Sequence, residues 1–161
     1  DLAWKHALPR TDGPTAIIVT RQGLPTLPGS RDDVSQGAYT VWEAEGEGEG
    51  EGLLVATGSE VALCVEAATV LAAEGVRLRV VSMPCGQAFE AQPQEVRDEV
   101  LPPKITLRLS VEAGTTMGWA TYASAQHGID RFGASAPGAI VARELGMHVD
   151  AVVARFKSLL G

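Results

Sequence analysis

LLVATGSEVALCVEAATVLAAEGVRLRVVSM, residues 53–83, reads as one complete strand-helix-strand unit. Leu53 to Thr57 is a short apolar run ending in Gly58, the form of a strand buried on both faces. Ser59 is placed to cap a helix from Glu60 to Glu74, in which Ala, Val, Leu and Cys fill nearly every position, so the helix should be largely covered. Gly75 stops it. Val76 to Val81 then alternates, with Val76, Leu78 and Val80 on one face, and Pro84 ends regular pairing. A crossover of this length calls for parallel, right-handed pairing of the two strands. The fold class is α/β.

The turn Thr57-Gly58-Ser59-Glu60 lies where α/β proteins often hold a ligand, because a helix N-terminus offers free N–H groups and partial positive charge. Against a nucleotide, the chain has no G-x-G-x-x-G and no G-x-x-x-x-G-K-[ST], and Glu60 would repel a phosphate. A plain helix cap is the better reading, and no nucleotide should raise the melting temperature.

A chain of 161 residues holds one domain with a substantial core, or one domain plus a fragment of another. The formal charge of -7 and a pI near 4.9 argue against nucleic acid and anionic membrane surfaces as partners. Anionic small molecules remain open through a local Arg. Cys64 and Cys85 have no motif spacing and read as reduced thiols of a cytosolic protein. No run approaches a membrane span and no signal peptide is visible. The chain starts with Asp, and a fragment is expected.

In order, Asp1 to Leu8 resembles the last turns of a helix. Pro14 to Thr20 (PTAIIVT) reads as a buried strand, with Arg21-Gln22 at its C-terminal end, the edge of a parallel sheet where ligands dock. One strand and a helix end make no domain, so the strand either joins the sheet that follows or belongs to a separate domain. Gly23 to Gly29, punctuated by Pro and Gly, reads as a linker and a domain boundary. Ala38 to Trp42 is a short strand. The Glu-Gly alternation from Gly46 to Gly52 is a solvated loop rather than a cation site, and it makes the preceding strand an antiparallel edge.

Beyond the central unit, short helices are expected around Phe89 and over Pro93 to Leu101. Lys104 to Val111 alternates as a strand with Ile105, Leu107, Leu109 and Val111 facing one way. Trp119 and Tyr122 begin a short helical or irregular stretch packed on the sheet, and Gly128 to Gly133 has room for another strand. Ser135 is placed to cap a helix from Pro137 to Leu145. A final helix carries Val149, Val152, Val153, Phe156, Leu159 and Leu160 as one apolar stripe.

Chemistry is sparse. His6, His127 and His148 fall in no metal-ligand or nucleophile pattern, and only His127, after the Trp/Tyr segment, is a candidate to line a cleft. Glu112 and Ser59 can be posed as base and nucleophile, with no support from spacing. Arg21 is the residue to single out, since a guanidinium at a strand end suits bidentate phosphate binding. From position alone, a surface salt bridge is an equal reading.

PTAIIVTRQGLPTLPG, QGAYTVWEA, the residues 53–83 unit, VEAG, GWATY, GIDRFGASAP and VDAVVARFKSLL, in this order, closely resemble the C-terminal region of transketolase. TRQGLPTLPG and FGASAP favour transketolase over related thiamine-dependent families. The resemblance implies residues 1–24 as the end of the thiamine pyrimidine-binding domain, 25–29 as linker and 30–161 as the transketolase C-terminal domain. The expected architecture is three-layer α/β/α, with a five-stranded mostly parallel sheet and one antiparallel edge strand.

The activity so implied is transfer of a two-carbon ketol unit from a ketose phosphate to an aldose phosphate by a cytoplasmic homodimer. Thiamine diphosphate and Mg²⁺ (or Ca²⁺) are cofactors of the full-length enzyme. Their sites and the catalytic residues lie in earlier domains, so no catalytic, cofactor or metal residue is expected here and the fragment alone should be inactive. Arg21, in the S/T-R-Q string, is the implied sugar-phosphate ligand. Gly23, where many members have Asn, the Glu-Gly tract and a shortened Ser124 to Ile129 stretch depart from the family pattern. The competing class is a stand-alone, non-catalytic assembly or regulatory module with the same fold.

Overall fold

The computed structural model describes residues 2–31, 34–48 and 50–161. Asp1 of the expected first helix and Glu49 of the Glu-Gly tract lie outside the described residues. The strands are β1 (Tyr39–Glu43), β2 (Gly52–Ala56), β3 (Leu78–Ser82), β4 (Arg108–Val111) and β5 (Ala125–His127). The helices are α1 (Leu2–Ala7), α2 (Glu60–Ala73), α3 (Gly86–Glu90), α4 (Gln94–Val100), α5 (Gly138–Glu144) and α6 (Val149–Lys157). One five-stranded sheet runs in the order β1-β3-β2-β4-β5. The inner pairs and β5 are parallel, and β1 is the antiparallel edge.

β2 sits at the centre because all five of its residues can be buried. Its alternation sends Leu54 and Ala56 to one face and Leu53 and Val55 to the other. On the first face, Leu54, Val80 and Leu109 lie in register and pack under α2 and α6 with Cys64, Leu71, Val152 and Phe156. On the second, Leu53, Val55 and Val81 meet Phe89 of α3, Val100 of α4 and the Leu101 that follows it. These are the three layers expected. Lys157 and Glu74 form an ion pair between the ends of α6 and α2.

Gly75 and Gly52 serve the central unit in different ways. Gly75 takes φ +88°, the left-handed conformation that closes α2. Gly52 is a close approach: a Cβ there would stand 2.5 Å from Phe156 Cζ and 2.9 Å from the Leu107 carbonyl oxygen. The charged residues inside strands are satisfied. Arg79 donates to Glu43 across the β1–β3 pair at 2.9 Å and to the Glu99 carbonyl at 2.7 Å. Arg108 donates to the carbonyls of Ile105, Leu101 and Pro102.

Several local expectations are corrected. Pro14 to Thr20 forms no strand and is not buried: Ile18 is 94% and Val19 78% exposed. A β-prone run becomes a strand only where another strand completes its hydrogen bonds, and this one reaches neither edge of the sheet. The strand before the Glu-Gly tract is the antiparallel edge expected, and its partner is β3. The run from Lys104 narrows to Arg108–Val111, because a turn from the Pro102 carbonyl to Ile105 N–H sends Ile105 into the opposite cluster from Leu109.

The fifth strand is Ala125–His127, and Gly128 to Gly133 carries none. Ser59 makes no capping bond to α2; its hydroxyl donates to the Glu60 carboxylate at 2.8 Å. Ser135 does not cap α5, which starts behind Pro137. The Trp119 to Thr121 turn does pack on the sheet, with Tyr122 edge-on to Trp119 at 6.1 Å and to Phe89 at 6.4 Å.

Candidate functional site

In a parallel sheet the strand C-termini and the helix N-termini that follow them converge on one edge, where ligands gather. Here that edge opens as a groove of about 1630 Å³. Its floor is the turn after β2 (Thr57 to Glu60) and the turn after β4 (Glu112 to Thr115). The segment Ile129 to Ala134 and α5 form one wall, and Ala16, Ile18, Val19, Thr20 and Gln22 form the other.

The floor is acidic. Burial pushes the Glu112 carboxyl above its ordinary range, and the neighbouring negative charge of Glu60 adds to the rise. Asp130 behaves oppositely: the Thr116 N–H at 2.8 Å and the hydroxyls of Thr116 and Thr115 hold its carboxyl below the usual range. These bonds tie the segment after β5 to the turn after β4. The Ser59 hydroxyl is committed to Glu60, so Ser59 and Glu112 are brought to one groove but not to each other as nucleophile and base.

A testable consequence attaches to Glu112. Its folded form holds a proton more tightly than the unfolded chain does, so folding loses stability as pH rises from the ordinary carboxylate range through the raised value. Glu112→Gln is therefore expected to melt higher than the parent at pH 7.5, with the gain shrinking toward zero at acid pH. A gain equal at both pH values in thermal melts would refute the assignment.

The other singled-out residues lie elsewhere. His127 lines no part of the groove; its Nε2 lies 2.9 Å from the Gly146 carbonyl oxygen, which fixes the ring to the loop before α6. His6 is exposed on α1, and His148 precedes the first turn of α6. Burial pushes the Cys64 thiol far up, which makes it inert, while Cys85 is exposed. Among the described residues no group of His, Cys, Asp or Glu is placed to hold a metal ion. Among the described residues no helix is long and apolar enough to cross a membrane.

Arg21 is exposed between Thr20 and Gln22, which line the groove and are bonded to each other through the Thr20 hydroxyl. Arg21 itself makes no hydrogen bond or ion pair among the described residues, so its guanidinium is uncommitted. The acid pair Glu60–Glu112 was not foreseen. Its members end one turn and begin another 52 positions away, and only the strand order brings them together.

The family model described as the transketolase-like TK C-terminal domain matches residues 37–148. Transketolase from Geobacillus stearothermophilus is 51% identical over 99% of this chain, which covers 25% of that protein. Transketolase 1 from Escherichia coli K12 is 42% identical, with 99% of this chain and 25% of that protein covered. The solved structure of a Pichia stipitis transketolase variant in complex with xylulose 5-phosphate superposes with a TM-score of 0.90 at 36% identity, over 98% of this chain and 23% of that one. The chain thus spans about a quarter of the length of the relatives it matches. With the family model covering most of the sequence and the fold shared with solved transketolases, the chain belongs to the transketolase family and matches its C-terminal part.

Proposed function

We propose that this chain is the C-terminal part of an enzyme that moves a two-carbon ketol unit from a ketose phosphate such as xylulose 5-phosphate to an aldose phosphate such as ribose 5-phosphate. The observation that carries the reading is the 51% identity to a transketolase along nearly the whole chain. In this reading residues 1–24 complete the pyrimidine-binding domain, 25–29 link, and 30–161 form the C-terminal domain. The burial pattern supports that division: α1 buries no residue, whereas the core clusters draw on Leu27 and then on residues from Ala38 onward.

Thiamine diphosphate does not fit the residues of this chain, and neither does its divalent metal, Mg²⁺ or Ca²⁺, since among the described residues no group of three His, Cys, Asp or Glu is placed to hold an ion. A diphosphate needs cations or free N–H groups, and the groove floor presents the carboxylates of Glu60, at the start of α2, and Glu112, after β4. The cofactor belongs with preceding domains, and no step of its chemistry is assigned here. Arg21 supplies the contribution from this chain, an uncommitted guanidinium for the sugar phosphate. A homodimer in the cytoplasm completes the reading.

The test is an assay of the full-length protein with thiamine diphosphate and Mg²⁺, xylulose 5-phosphate as donor and ribose 5-phosphate as acceptor. Appearance of a seven-carbon ketose phosphate with glyceraldehyde 3-phosphate is expected. No transfer by cofactor-saturated protein would sink the proposal.

A further inference from the structure

We propose that the C-terminal edge of this sheet is an intramolecular docking face for the preceding part of the polypeptide, with Phe132 as its anchor. The proposal rests on the reading that the chain is the C-terminal part of a transketolase. The two broad faces of the sheet are covered by helices, but this edge is flanked by apolar side chains that cover nothing. Ile18 and Val19 stand open on one wall, and Phe132, 95% exposed, on the other. α5 borders the same groove without burying any residue, and its Ile140 is exposed as well. Apolar groups gathered around one concave edge mark an interaction surface.

The occupant follows from chain geometry. This chain accounts for a quarter of the length of its relatives and matches their C-terminal part, so in a transketolase the missing portion precedes it. Ile18 and Val19 lie on the segment that connects to that portion. Ala16, Ile18, Val19, Thr20 and Gln22 already close one wall of the groove, so the preceding polypeptide arrives tethered beside Phe132 and its docking is intramolecular. The acidic floor adds selectivity, since an element seated there meets Glu60 and Glu112 and must present N–H or cationic groups.

The Asp130 bonds keep this wall in place, so Phe132 is presented on a fixed segment. In the full-length protein, Phe132→Asp is expected to raise tryptic cleavage at Arg21 and Arg31, which flank the linker, roughly tenfold or more, the size of effect seen when a buried aromatic anchor is lost. Phe132→Leu, which keeps an apolar group, should stay within about threefold of the parent. In the 161-residue chain Phe132 packs against nothing, so Phe132→Asp should leave its melting temperature unchanged.

Cleavage of full-length Phe132→Asp at the parental rate would overturn the proposal. So would a lower melting temperature of the 161-residue variant, which would make Phe132 a folding residue, or Phe132-dependent self-association of that chain, which would make a second copy the occupant. Failure of the parent enzyme to transfer ketol units would sink the transketolase reading alone, because the cleavage comparison needs no activity.

Discussion

Replacing Arg21 by Ala in the full-length enzyme is expected to lower kcat/KM for a phosphorylated donor by about 30- to 1000-fold, the equivalent of ~2–4 kcal/mol for a charge-assisted phosphate contact. An unphosphorylated donor should lose less than about threefold, because it never made that contact. Arg21 carries no hydrogen bond or ion pair within the described residues, so its removal should leave stability within about 0.5 kcal/mol. Arg21→Lys is expected to restore part of the loss, since a point charge replaces a two-pronged donor. Steady-state kinetics with both donors decide the matter. Equal losses, or none, would make Arg21 structural or peripheral.

The largest stability effect is expected at Phe156. Its ring is fully buried on α6 and rests over the first residue of β2, where Gly52 leaves room for it. Phe156→Ala removes that ring and opens a cavity between helix and sheet, at a cost of about 3–5 kcal/mol. In a chain of this size, that corresponds to a drop in Tm of roughly 10 °C. Gly52→Ala should also destabilise, because the new methyl would overlap the ring and the Leu107 carbonyl. The ring half of that overlap disappears once Phe156 is Leu or Ala, so the two substitutions should be non-additive in a thermal double-mutant cycle. Strict additivity would show that the contact is not what forces glycine at position 52.

Residues 53–83 carried the fold because their pattern is local. A covered helix between two apolar runs leaves one topology, and the structure has it. What was not legible depends on neighbours distant in sequence. Thr15 to Thr20 has the composition of a strand, but composition supplies no partner. Ala125-Gln126-His127 shows no apolar alternation, and it becomes β5 because β4 offers a free edge to its backbone.

Ser59 has the side chain of a cap, yet a carboxylate one position away accepts its hydroxyl first. At the candidate site, Arg21 was marked by its strand-end motif. Glu60 and Glu112 each stood out singly, but their meeting did not, because turns after two different strands come together only through the order of the sheet.

The open run at residues 15–20 has a further consequence for how the chain behaves in solution. Thr15-Ala16-Ile17-Ile18-Val19-Thr20 has no charge, no proline and three β-branched aliphatics in succession, with no strand beside it. Such a segment is a template for cross-β pairing between molecules. Concentrated solutions of the 161-residue chain therefore carry their own nucleus for aggregation, at the very residues that the proposed intramolecular docking would shelter.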